Sequence, residues 1–171
     1  MVIGTTYAKL SKLSDKQIEE NISSLNVSGL SSTYLIALVK SEAIALSMYD
    51  VDNEVSALKT ADGRGGNATI GVGHLVHHGA IGSDQYDKEA AKKEKEFKGG
   101  LTVNGAFQLL SKDLTVRVSV LEKKLTKEGI ADIDQGVKDV FTDFVFNTGS
   151  ANKAIGIYKK EGVTGLYNAI S

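Results

Sequence analysis

The sequence predicts a mostly helical α+β domain. Three observations carry this: runs with a 3.6-residue apolar period on both sides of the chain's middle, one alternating stretch over residues 44–49, and a glycine-bounded apolar run, "NATIGV". The order is helix, small hairpin, then helices, which fits an α+β arrangement rather than alternating βαβ units.

Each element has a local reason. "SDKQIEENISSL" (14–25) opens with a capping Ser14 and carries Ile18, Ile22 and Leu25 at helical spacing. "SSTYLIALVKSE" (31–42) is a second helix, capped by Ser31 or Ser32. Ile44, Leu46 and Met48 then alternate with Ala45, Ser47 and Tyr49, a strand pattern. The Gly- and Asp-rich stretch 52–66 reads as a loop or long hairpin end, and "NATIGV" as the returning strand. Residues 84–98 are almost entirely polar, which suits a solvated helix or a connection. Thr102 can cap a long helix with Ala106, Leu109, Leu110 and Leu114 on one face. After Asp132 or Asp134, Val137, Val140, Phe141, Phe144 and Val145 mark a further helix that stops at Gly149.

Composition excludes several classes. The chain has 171 residues, a formal net charge of −1 and no cysteine. Disulfides and thiolate chemistry are therefore impossible. Near-neutral charge gives no electrostatic footprint for nucleic acid. No run reaches transmembrane length, and residues 1–20 lack the apolar core of a signal peptide. Action outside the cytoplasm would then need a dedicated delivery route.

Glu42 is the first candidate for chemistry. Leu35, Leu38, Val39 and Glu42 share one helix face, so the carboxylate ends an apolar stripe at the negative end of the helix dipole. Both effects raise a carboxylate pKa, as a general acid at neutral pH requires. Periodicity alone favours the plainer reading, a carboxylate snorkelling at a helix end or paired with Lys or Arg. "GNATIGVGHLVHHG" (66–79) holds all three histidines. It lacks the third glycine of a dinucleotide fingerprint and the Lys-Ser/Thr of a phosphate loop. His74, His77 and His78 with Asp84 make only a weak metal pattern. The plainer expectation is no metal, with His77 and His78 on the surface and His74 held by a structural carboxylate. Thr69, on the returning strand, is either a β-branched strand residue or the holder of a water.

Taken together, "SEAIALSMYD", "ATIGVGHLVHHG", "LTVNGAFQLLSKDL" and "DVFTDFVFNTG" resemble, in order, the motifs of phage-type lysozymes (glycoside hydrolase family 24, endolysins and muramidases). The resemblance implies a small β-hairpin lobe and a helical lobe joined by a long helix. It makes residues 31–171 the lysozyme-like domain and 1–30 an N-terminal helical extension. It implies hydrolysis of peptidoglycan glycan strands at the β-1,4 bond between N-acetylmuramic acid and N-acetylglucosamine, without a cofactor. Glu42 falls on the family's catalytic Glu, Thr69 on its water-positioning Thr and His74 on its His. Leu75, Phe146 and Asn147 fall on residues that line the cleft.

The pattern departs from the family in three places. Ala43 replaces the Gly after the catalytic Glu, which strains the turn if φ is positive. Val51 occupies the position of the family's Asp, and the hairpin is longer. Asp52, one residue on, is the first candidate for the second carboxylate and Asp62 the other, while Asp50 has the wrong strand parity. A bacteriolytic enzyme acting in the periplasm or cell wall, monomeric and delivered by a phage or a secretion system, is the expectation. Its protein partners would be a delivery apparatus or an immunity protein. A non-catalytic glycan-binding module and a structural interaction domain are the rivals.

Overall fold

The computed structural model describes residues 13–25, 27, 29–51, 65–82 and 87–170. Asp52, Asp62 and Asp84 lie outside these. Along the chain run α1 (Asp15–Ser23), α2 (Ser32–Glu42), β1 (Ala45–Val51), β2 (Asn67–Gly71), β3 (His74–His78), α3 (Lys88–Phe97), α4 (Val103–Lys127), α5 (Gln135–Thr148) and α6 (Ala151–Ile170). The chain divides into two compact units, Met1–Asn21 with Val39–Leu110 and Ile22–Leu38 with Ser111–Ser171, and α4 passes from the first into the second.

The helices start where capping chemistry places them. Ser14 and Gln17 form a reciprocal box: the Ser14 Oγ accepts from the Gln17 N–H (3.3 Å), and the Gln17 Oε1 accepts from the Ser14 N–H (3.0 Å). Ser31, not Ser32, caps α2, accepting from the Tyr34 N–H at 3.1 Å. Thr102 accepts from the Gly105 N–H at 3.0 Å, and Asp134 from the Val137 N–H at 2.8 Å. Gly149 closes α5 at φ 69°.

In the first unit the three strands form one antiparallel sheet in the order β1-β2-β3. Gly71 (φ 67°) and Gly73 (φ 65°) make the tight turn around Val72 that returns β2 into β3. Ala68, Ile70 and Val76 are its buried face, and Met48, Ile81, Phe97, Leu101 and Leu109 pack on them. The small hairpin expected from residues 44–49 and "NATIGV" is thus one strand short: His74–His78 add β3 on the far side of β2. The polar segment before Gly99 is the helix α3, which buries only Ala90.

His77 is the second correction. Strict alternation from His74 would turn it outward with Leu75. The register instead shifts between Ala68 and Thr69, so His77 pairs with Ala68 and joins Val76 on the buried face. His77 is 5 % exposed, and its Nε2 lies 2.9 Å from the Glu94 Oε1 of α3. The same oxygen accepts the Gly82 N–H at 2.9 Å. One carboxylate therefore fastens α3 to β3 and to the loop after it. His78 remains at the surface, 3.1 Å from the Asn67 Oδ1.

In the second unit, Leu121 and Leu125 of α4 pack with Phe141, Phe144 and Val145 of α5 and with Ala151, Ala154, Ile155 and Leu166 of α6. Helix α6 breaks at Gly162 (φ 66°, ψ −158°), which redirects its last turns.

Two stability outcomes follow. Ala43 sits at φ 60°, a left-handed conformation costing an L-residue roughly 1–2 kcal/mol. Part of that is offset by glycine's larger unfolded-state entropy, so Ala43→Gly should stabilise by ~0.5–1 kcal/mol, a rise of ~1–4 °C in Tm. Glu94→Ala removes the acceptor for both His77 and Gly82 and should cost about 1–3 kcal/mol in urea unfolding. A neutral Glu94→Ala would show that this contact does not hold α3.

Candidate active site

Glu42 is the last residue of α2. Its face is as expected: Leu35, Leu38 and Val39 are 4 %, 3 % and 2 % exposed, and Glu42 is half-buried at the stripe's end. The Ala43 N–H still bonds the Val39 carbonyl (3.1 Å), and the positive φ of Ala43 then throws the chain into Ile44 and β1.

The strands present a row of three residues. Tyr49 of β1 pairs with Thr69 of β2, which pairs with Leu75 of β3. Directly paired residues share a face of a sheet. This row therefore lies on the face opposite Ala68, Ile70 and Val76. Thr69 is buried, and its hydroxyl donates to the Asn67 carbonyl at 2.8 Å. With its proton committed, the oxygen keeps lone pairs that can accept from a water. Leu75 is 39 % exposed, a large apolar side chain open to solvent beside a buried hydroxyl.

Tyr49 links this row to Glu42. Burial pushes its phenol above the ordinary range, and the charge of Glu42 pushes it further the same way. The phenol stays neutral and lies within the field of the carboxylate. The sequence placed Tyr49 in the strand pattern without assigning it a role. Asp50, set aside on parity, is structural: its Oδ1 accepts the Ile81 N–H at 2.6 Å.

His74 lies on the sheet's packed face with its ring 5.6 Å from that of Phe97. Among the described residues no group of three or more His, Cys, Asp or Glu is arranged to hold a metal.

Phe146 and Asn147 belong to the second unit, in the last turn of α5. Phe146 is half-buried and Asn147 exposed. The Asn147 Nδ2 donates to the backbone carbonyl of Asp143 (3.0 Å) and to its Oδ2 (3.3 Å). Burial pushes the Asp143 carboxyl above the usual range, while the hydrogen bond from Asn147 and the neighbouring Tyr34 hydroxyl pull it back. Sequence reading passed over Asp143, because its helix position alone says nothing of Tyr34.

The family model described as phage lysozyme matches residues 52–166. The match covers most of the chain, and the protein belongs to the phage lysozyme family. That membership brings with it a peptidoglycan-hydrolase kind of function, directed at the cell wall. The matched segment contains Thr69, Leu75, Phe146 and Asn147 and begins after Glu42. No curated protein and no solved structure matches the chain. Among the described residues, no helix is long and apolar enough to cross a membrane.

The raised Asp143 carboxyl gives a pH dependence with a definite sign. The folded state holds this proton more tightly than the unfolded state. The stability it contributes is therefore full below the unfolded value of about 3.9 and is lost as pH rises through the raised folded value. Asp143→Asn should match the wild type near pH 3 and have the higher Tm near pH 7. A lower Tm for the variant at neutral pH would contradict the burial penalty.

Proposed function

We propose that the protein is a muramidase, hydrolysing the β-1,4 bond between N-acetylmuramic acid and N-acetylglucosamine in peptidoglycan. The observation that carries this is the placement of Glu42. It ends an apolar helix face, and its charge is felt at Tyr49, the residue opposite Thr69. A carboxylate in such a position suits proton donation to the glycosidic oxygen as the bond breaks. Thr69 would hold the attacking water. Asp52 would activate that water or stabilise the positive charge developing on the sugar. Leu75, Phe146 and Asn147 would contact the glycan. No cofactor enters this scheme.

The biological reading follows from the chemistry. The enzyme is bacteriolytic, acts as a monomer in the periplasm or cell wall, and arrives there by phage or secretion-system delivery. Residues 31–171 form the lysozyme-like domain, with 1–30 as a helical extension. Val51 at the position of the family's Asp favours one second reading, a glycan-binding module without turnover. Binding of purified walls without their clearance would support it.

Glu42→Gln should abolish clearing of purified peptidoglycan while leaving Tm and far-UV circular dichroism unchanged. The loss of a general acid should reach at least ~10²–10⁴-fold. Activity within a few-fold of wild type would remove Glu42 from the mechanism. Asp52→Ala should cost far more activity than Asp62→Ala; the reverse ranking would move the second carboxylate to the glycine-rich end of the hairpin.

A further inference from the structure

The last turn of α5 is an electrostatic problem. Its final carbonyls lack helical donors and sit at the negative end of the helix dipole. The turn contains no basic residue of its own. The Gly149 N–H reaches the Val145 carbonyl at 2.9 Å. The Ser150 N–H, which would bond the Phe146 carbonyl in a longer helix, donates instead to the Thr148 Oγ1 at 3.3 Å.

Arg117, on α4 in the same unit, supplies what is missing. Its Nη1 donates to the carbonyls of Val145 (3.0 Å) and Phe146 (3.2 Å). Its guanidinium carbon lies 4.8 Å from the centroid of the Phe146 ring. A single half-buried side chain thus grips both the backbone and the ring of Phe146. Among the described residues no carboxylate forms an ion pair with it, so its charge is spent on the helix end. The neighbouring Asn147 is held separately through Asp143.

We propose that Arg117 is a positioning residue for glycan binding, fixing the ring of Phe146 and the last turn of α5 in the conformation that meets the sugar. The proposal rests on the reading that Phe146 and Asn147 contact the glycan. A guanidinium on one face of the ring leaves the other face and the edge for a ligand. Ordering these groups in the free protein lowers the entropy lost on binding. The planar fork is essential: a lysine keeps the charge but cannot stack and bridge two carbonyls in the same way.

The test is a double-mutant cycle on equilibrium binding of a soluble GlcNAc–MurNAc tetrasaccharide, in the Glu42→Gln protein so that no ligand is consumed. Arg117→Met and Phe146→Ala should each weaken binding about tenfold, and the double variant no more than the weaker single one. Arg117→Lys, which keeps the charge and serves if Arg117→Met folds poorly, should weaken it about threefold. A purely structural arginine would lower Tm and leave the Kd of the folded protein unchanged. Unchanged Kd in either Arg117 variant, or additive losses in the cycle, overturns the proposal. Coupled losses in the cycle, together with a wild-type protein that never clears walls, would uphold Arg117 while refuting hydrolysis. Absence of tetrasaccharide binding by the parent would overturn the glycan role of Phe146 and with it that of Arg117.

Discussion

Everything near the candidate acid depends on how α2 ends. The helix has to stop at Glu42, and it does so with an alanine in the left-handed region at φ 60°. That strained residue turns the chain so sharply that Ile44 and Ala45, both buried, enter β1 at once. Another turn of helix would carry these apolar residues away from the sheet. The far side of the junction is fixed by the Leu101 N–H, which bonds the Leu46 carbonyl at 2.7 Å. Gly100 makes this possible: at φ 74°, a Cβ there would lie 2.6 Å from the same carbonyl oxygen. Strain in Ala43 and the bare backbone of Gly100 thus hold one junction between them.

From that junction the sheet register does the rest. Tyr49, Thr69 and Leu75 fall in one row because β1 and β3 both pair with β2 at Thr69. The bulge beside Thr69 also sends His77 inward to Glu94. One irregularity in a ladder therefore separates two jobs. The open face keeps a hydroxyl and an apolar side chain, while the packed face gains the polar contact that docks α3. The second unit solves its own problem at the end of α5, where a cation borrowed from α4 replaces the one the helix lacks.

Local chemistry made much of this legible in advance. Ser14, Ser31, Thr102 and Asp134 cap the helices they promised, and Gly149 ends α5 as its position suggested. The apolar stripe below Glu42 was readable because 3.6-residue spacing is a property of the segment alone. Strand β3 was not. "HLVHH" has no clean alternation, because the bulge that orders it is a relation to β2 and not a pattern within the segment. Helix α6 was missed because Gly156, Gly162 and Gly165 interrupt an apolar period that closes against α4 and α5. Among site residues, Glu42, Thr69, Leu75, Phe146 and Asn147 came from ordered motifs. Tyr49, Asp143 and Arg117 matter through partners distant in sequence, which no spacing rule exposes. Asp52 and Asp62 lie outside the described residues; the motif's own position holds Val51, and the two are candidates by their place along the hairpin.

The chemistry proposed is proton donation followed by attack of water, and its products carry its signature. Purified peptidoglycan digested with the wild-type protein and examined by mass spectrometry of its glycan ends is the most direct measurement. Hydrolysis by Glu42 and a bound water predicts fragments ending in reducing N-acetylmuramic acid, each heavier than an anhydro product by one water. Anhydro ends, reducing N-acetylglucosamine ends, or intact walls that merely carry bound protein would contradict it.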